Sequence, residues 1–517
     1  MAAVFLVLAT AGWLLHSREY RNGRQALAAY EAELSQRGES LDILGNVASS
    51  LGGAEEENFA TTPLIKEVFE LGEDSRLLSL KLRDEAVPEG NRFEHVFRFR
   101  ETFDLRRPLD FRAVEPLALE RFLHRDKDGI SPGEVNAVIL EDLKRADAEL
   151  AEISSAARRA HAQFPLEWEK GMAMRQPHLE ALLAVSTILQ LRGVAALRSG
   201  DTDAAFEDAM TLLRVARLGM DTPSIINLSI SSLRAMKGLH LIWEGCLEQR
   251  WSAEQLREFE TTLRALRPLL RVPATLRMER AILAHSLREL AETPDLADAL
   301  RSSHGGTPID KYRRKIESAV YPRGRFYHAV ASYSRILDQL LENENGEAAQ
   351  GVTWQAYLRV TGELSRRESA DHKQNHPEIL AHLMAFTYVT VLEPQFRAET
   401  QLNCGVISCA LERFQIAEGR YPDSLSELQP GYLPEIPVDL ITGQPLVYRL
   451  GPDQRPVVYS PGSDLKDDKG TPRNATEQGD WVWRYAPPEG FTVDAYFDRK
   501  KRRHPLRRNR NTPKKRK

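Results

Sequence analysis

Residues 411–450 read LERFQIAEGRYPDSLSELQPGYLPEIPVDLITGQPLVYRL, and residues 457–470 read VVYSPGSDLKDDKG. The first run begins inside a helix. Over 395–418 the apolar residues Leu402, Val406, Ile407, Ala410, Leu411 and Phe414 recur at helical spacing. Gly419 stands where such a helix ends, because glycine enters the left-handed conformation of a helix terminus without a Cβ penalty. Tyr421-Pro422 then makes an extended turn, since proline restricts both its own backbone and that of the residue before it. DSLSEL restarts a short helix with Asp423 or Ser424 as its cap. Pro434 and Pro437 keep the next stretch extended. Asp439, Gly443 and Pro445 form the turn before a strand, PLVYRL, and Pro456 precedes a second, VVYS. The spacing therefore predicts a small α+β module over 394–490 that closes on an acidic, glycine-bearing loop.

Ahead of this module the helical period dominates. Residues 136–393 read as a helical domain, and the run VNAVILEDLKRADAELAEISSAARRAHAQF reads as one amphipathic helix. A helical hairpin follows near 189–218. Its Gly193, Gly200, Asp201, Asp203 and Ala205 resemble the packing glycine, turn and small residue of one tetratricopeptide unit. No second copy recurs at that period, so a repeat solenoid is not implied. Further helices are predicted at about 223–249, 252–266, 272–296, 323–342, 352–367 and 376–392. Residues 47–135 are mixed: NFATTPLIKEVFEL makes a short helix, and FEHVFRFRETFDL alternates like a strand. HRDKDGISPGE (124–134) has the flavour of a calcium loop, but His124 falls on the first ligand position and Glu134 comes one residue early, so it reads as a turn. His372 and His376 have metal-pair spacing, but Pro377 disfavours a helix through them and a loop is the better reading. His285 and His328 each stand alone in helical patterns.

Ala2–Leu15 is an uncharged apolar run, AAVFLVLATAGWLL, and defines a membrane-anchor or signal-like segment over 1–17. Residues 18–46 then read as a polar juxtamembrane helix with a narrow stripe of Leu27, Tyr30 and Leu34. The body is expected outside the inner membrane. The alternative is a cytoplasmic body, because Arg18, Arg21 and Arg24 follow the apolar run and positive flanks stay inside.

The 517 residues are enough for about three domains. With 42% apolar and 28% charged residues, a sizeable core is possible. The net charge of −4 conceals an asymmetry: residues 499–517 carry twelve Lys or Arg and no acid, which leaves −16 for the rest. The tail 491–517 is predicted to be disordered, and by charge alone it suits anionic lipid or an acidic partner. Residues 499–517 hold no Phe, Tyr or Trp for base stacking, so nucleic acid is not the expected partner. Cys246, Cys404 and Cys409 have no zinc spacing and read as buried thiols. GxSxG, HExxH, GxxxxGK[ST] and GxGxxG motifs are all missing, which removes the common signatures of hydrolases, metalloproteases and nucleotide-binding proteins.

The stretch 411–485 resembles the globular domain of type II secretion major pseudopilins. The resemblance rests on Gly-Arg-Tyr-Pro (419–422), the Leu425/Leu428 turn, Asp439 through Gly443, strand Val447-Tyr448, and Ser460-x-Gly462-x-Asp464 through Gly470. In that family the last loop binds calcium. The resemblance implies Ser460, Asp464, Asp467 and Asp468 as ligands, with Asp480, and calcium wants six to eight oxygens of this kind. It implies no pseudopilus assembly, because nearly 400 residues precede the module and Arg397, Glu399 and Glu412 exclude a membrane span in its helix. The expected fold is mainly α: an N-terminal membrane helix, a large helical array or bundle, a small pseudopilin-like α+β module and a disordered basic tail. The expected function is a non-enzymatic, membrane-anchored bacterial envelope protein, with protein partners on the helical domain. The alternatives are a secretion-machinery component with a structural calcium site, or a hydrolase with its site among the helices.

Overall fold

A computed structural model describes residues 2–50, 54–80, 108–109, 132–293, 322–342, 351–371, 379–471 and 479–485. The strand expected at 93–105, the turn at 124–131, the breaks at 302–309 and 343–350, His372, His376 and the basic tail lie outside the described residues. The fold is mainly helical. In chain order the elements are α1 (Ala2–Gln36), α2 (Ile43–Ser50), α3 (Pro63–Glu70), α4 (Arg76–Ser79), α5 (Pro132–Leu143), α6 (Asp147–Ala156), α7 (Pro177–Arg198), α8 (Thr202–Gly219), α9 (Ile225–Leu247), α10 (Ala253–Ala265), α11 (Pro268–Glu292), α12 (Gly324–Leu341), α13 (Trp354–Asp371), α14 (Ile379–Thr390), α15 (Leu392–Glu418), β1 (Val447–Leu450), β2 (Pro456–Ser460) and β3 (Trp481–Arg484).

The hairpin forms where its turn chemistry puts it. Gly200 takes φ +90° between α7 and α8, and the Asp201 carboxylate accepts the Ala204 N–H at 3.1 Å to cap α8. Gly193 lets α7 approach closely: a Cβ there would run into the Leu241 side chain of α9 and meet Asp208 Cβ of α8 at 3.2 Å. Helix α7 is long and apolar enough to cross a membrane, but 83% of that window is buried, as befits a core helix. Pro177 and Pro268 open α7 and α11, at positions whose N–H needs no helical partner. Ser252 and Gln255 form a capping box on α10.

One expected helix is broken. The run from 135 to 164 is divided between α5, a tight turn at Lys144–Ala146 and α6, which ends at Ala156. Residues beyond Ala156 leave the helix because tertiary partners take their backbone. Phe59 N–H donates to His161 O at 2.8 Å, and Gln163 N–H donates to Asn58 Oδ1 at 2.8 Å. Fixing these pairs across about a hundred residues outweighs a modest local helix preference.

Helix α1 runs unbroken through the apolar segment into the body, and from Glu19 onward it lies along α12. The stripe of Leu27, Tyr30 and Leu34 is fully covered. Gly23 and Gly324 face each other backbone to backbone, so a Cβ on either would penetrate the other helix's main chain. Tyr20 meets Tyr327 edge-on, 5.6 Å between ring centroids. Further along, Asp338 of α12 accepts from Tyr30 Oη at 2.9 Å, from Arg37 at 2.7 Å and from Arg280 of α11.

The C-terminal module is built on α15, which ends as expected: Gly419 takes φ 72° and donates its N–H to Gln415 O. Ser424 and Glu427 form a capping box around the turn Leu425–Leu428. The sheet is antiparallel in the order β1-β2-β3, with Tyr448 opposite Val458 and Val458 opposite Trp483. Strand β3, WVWR, was not among the expected strands. Its Trp481 and Trp483 share one core with the helices, while Val482 packs with Val457 and Tyr459 on the other face, and Trp243 of α9 donates Nε1–H to Arg484 O at 2.9 Å. Gly405 of α15 gives room to Leu239, Leu263 and Trp483.

Candidate functional site

The acidic loop leaves β2 at Ser460 and returns to β3 at Asp480. Ser460 is fully buried and its Oγ accepts the Gly462 N–H at 3.0 Å. Asp464 Oδ1 accepts from Lys466 N–H at 3.1 Å and so shapes its own turn. Asp467 Oδ1 accepts from Tyr459 Oη at 2.9 Å and from Lys469 N–H at 2.7 Å. Gly462 and Gly470 take φ 75° and 68° and turn the chain where an L side chain would be strained. Asp480, 4% exposed, lies beneath the loop. Its Oδ1 accepts the Asp468 N–H at 3.2 Å and its Oδ2 the Gly470 N–H at 2.6 Å. Burial pushes the Asp480 carboxyl up to about 6 against these two amide hydrogen bonds, and the negative charges of Asp467 and Asp468 push the same way.

Loop geometry thus gathers Asp467, Asp468 and Asp480, while Ser460 and Asp464 are engaged in local turns. Among the described residues, no group of three or more His, Cys, Asp or Glu side chains is arranged to hold a metal ion. Residues 472–478, which complete the loop, lie outside the description. Asp480 is the member that a cation would relieve most, as a buried carboxylate beside two others.

A second candidate is a cleft of about 520 Å³ between α1, the chain at 40–44 and α11, lined in part by Glu31, Leu34, Asp42, Glu169, His285 and Arg288. Glu31, Asp42, His285 and Arg288 already have partners within the fold. Arg288 pairs with Glu31, and His285 Nε2 lies 2.8 Å from Glu169 O and 3.8 Å from the Glu289 carboxylate. His285 is thus a satisfied, partly exposed helix histidine.

Sequence reasoning missed a set of buried titratable groups among the helices. His178 stacks on Phe164 at 3.9 Å between centroids, bonds Asn227 at 2.9 Å, and is pushed down to about 3 by burial. Glu279 accepts the Ile225 N–H at the start of α9 at 2.7 Å and is pushed up to about 7 by burial. Lys237 donates to Thr187 Oγ1 and Gln190 Oε1 and is brought down to about 7, again by burial. Their hint was polar residues interrupting otherwise apolar helices, as in LRAMKGLHLIWEG of α9. Glu412 of α15 is a similar node. It accepts from Tyr421 Oη at 3.0 Å and Tyr485 Oη at 2.8 Å. Arg455 lies over the Tyr485 ring at 3.9 Å and donates to the terminal carbonyls Cys246 O and Leu247 O of α9. The Tyr in Gly-Arg-Tyr-Pro therefore works as a structural anchor. The three cysteines are all buried free thiols.

Compared with protein-family models, with curated proteins and with solved structures, the chain matches none.

Proposed function

We propose that the chain is a non-enzymatic, membrane-anchored protein of the bacterial envelope, whose helical body is a binding scaffold carrying a pseudopilin-like module. The observation that carries this reading is α1. One helix bears the uncharged run Ala2–Leu15 and continues, without a break, into a segment packed along α12 and joined to α11 by the pairs Tyr30–Arg280 and Glu31–Arg288. An apolar helix that emerges from a folded body has its natural environment in a bilayer, where its backbone hydrogen bonds are internally satisfied. The order of helix, Gly-Arg-Tyr-Pro turn and antiparallel strands supports the module. Two orientations remain in the reading, an exported body and a cytoplasmic one; arginines at the body end of α1 weigh for the second. Alkaline extraction of membranes tests the anchor: the full chain is expected to stay with the lipid. Complete recovery in the soluble fraction would sink the proposal.

The buried Asp480 favours a second reading, a secretion-machinery component that uses calcium as a structural clip. Calcium bound only by the folded state raises the melting temperature. The full chain should then melt higher in calcium than in chelator, with the gain lost in Asp464→Ala/Asp467→Ala. An unchanged melting temperature would remove the ion site and leave the anchor reading standing.

A further inference from the structure

We propose that the end of the body from which α1 emerges is a docking face for anionic lipid headgroups, and that α1 is fixed to the body so that this face must lie flat on the bilayer. The proposal rests on the reading that Ala2–Leu15 enters a membrane.

Rigidity is the first part of the argument. An anchor usually joins its domain through a linker, which lets the domain swing. Here the helix continues straight into the fold. Its backbone touches that of α12 at Gly23 and Gly324. Tyr20 packs on Tyr327, and Asp338 receives Tyr30 and Arg37 from the α1 side and Arg280 from α11. Arg335 of α12 adds a 2.7 Å pair with Glu33. These contacts span Tyr20 to Arg37, about 25 Å of helix at 1.5 Å per residue. A helix held over that length does not pivot. Its membrane end fixes which surface of the body meets the lipid.

Charge is the second part. Arg18, Arg21 and Arg24 are exposed around α1. Tertiary packing adds Arg323 and Arg325, 300 residues away in sequence, because α12 runs parallel to α1 and starts at the level of Tyr20 and Gly23. Arg323 reaches across to Ala291 O, the last turn of α11, at 3.3 Å. Among the described residues, the acids at this level are Glu19 and Glu292, and Glu292 accepts from Tyr327 Oη at 3.3 Å. Among the described residues, five arginines against two glutamates leave a basic ring around the emerging helix. The amino end of α12, the positive end of its dipole, points the same way. Arginine forms bidentate contacts with phosphate oxygens, and each basic side chain near an anionic surface strengthens binding roughly fivefold. The linear sequence shows only the three arginines that follow the apolar run; the other two join them through the fold.

The test is flotation of the full chain with vesicles of phosphatidylcholine alone and of phosphatidylcholine mixed with phosphatidylglycerol. Uptake on neutral vesicles reports the apolar segment, and the gain on mixed vesicles reports charge. The basic tail is present in every variant, so its contribution cancels. Arg323→Gln/Arg325→Gln is expected to lose about 25-fold of the gain on mixed vesicles and to bind neutral vesicles as the parent does. Arg323→Lys/Arg325→Lys, which keeps the charge, should retain most of it. Should the Gln pair fail to fold, Arg18→Gln/Arg21→Gln at exposed positions carries the same expectation. Variants that float on mixed vesicles as strongly as the parent would overturn the docking face while the anchor stands. A parent that floats on neither vesicle would overturn the anchor reading and this proposal together.

Discussion

Two long helices frame this molecule, α1 at its beginning and α15 near its end, and they are held by different physics. Helix α15 is surrounded. Its Leu402, Val406, Ile407, Ala410 and Leu411 are buried against α9, α10 and the sheet. Its two buried acids are matched in place: Glu399 receives Arg267 at 2.6 Å and the Leu269 N–H at the start of α11 at 2.8 Å, and Glu412 receives two tyrosines. Helix α1 is held along one side, by three apolar residues, a glycine contact and an ionic cluster. Apolar burial is non-directional and scales with area, so α15 belongs to the common core. An ion cluster is directional and depends on every member being present, so α1 is held in one register. The lesson is that the central segment is stabilised by area and the terminal one is specified by geometry.

Breaking each helix's support separately tests that contrast. The largest effect is expected at Trp243, wholly buried and bonded to Arg484 O. Trp243→Ala should cost about 3–5 kcal/mol in urea unfolding, from lost burial and the cavity left behind. A loss below about 1 kcal/mol would mean that the sheet does not share the helical core.

Asp338→Ala comes close behind. It leaves Arg280, 1% exposed in its side chain, without its main counter-charge. Removing one member of a buried pair costs about 3–5 kcal/mol. The loss should localise, with amide exchange rising across α1 and α12 and remaining slow in α15. Uniform acceleration would show that α1 and α15 belong to one cooperative unit and would erase the distinction drawn above.

Asp480→Asn should have the smallest effect. The folded-state carboxyl, raised to about 6, lies above its ordinary value near 3.8. Between these values the native state binds more protons than the unfolded state, so stability falls as pH rises from about 4 to 6 and is level above that. Below about 4 both states are protonated and the term vanishes. The variant should lose this slope, read by melting temperature across the range. A parent without the slope would mean that Asp480 is not desolvated as its position requires, and the case for a cation there would lose its support.

Local features were legible in advance. The apolar stripe of α1 was readable from Leu27, Tyr30 and Leu34, the hairpin from Gly193, Gly200 and Asp201, and the end of α15 from Gly419. So was a cap at Asp423 or Ser424; that it is Ser424, in a capping box with Glu427, came from the structure. Each is decided by neighbours within a few residues: helical spacing, a residue tolerant of positive φ, or a side chain within reach of its own backbone. The candidate acidic loop was legible as a cluster of residue types, but its hydrogen bonding was not. Nothing near Asp480 in sequence indicates that its two oxygens hold the amides of Asp468 and Gly470. The expected helix over 135–164 failed because Asn58 and Phe59 claim the backbone at His161 and Gln163. Strand β3 was missed because four residues, WVWR, carry too short an alternation to register without their partner β2.

The sequence by itself determined the helical character of this protein, the places where its helices stop, and the charge division between an acidic body and a basic tail. These follow from backbone sterics, capping and composition, which act locally or in sum. Tertiary structure alone decided that Gly324 lies against Glu19 and Tyr20, that Asp338 ties α1 to α11, and that Trp243 reaches the sheet. Such pairings cross hundreds of residues. They follow from chain closure and packing against a shared core, and no spacing rule along the chain encodes them.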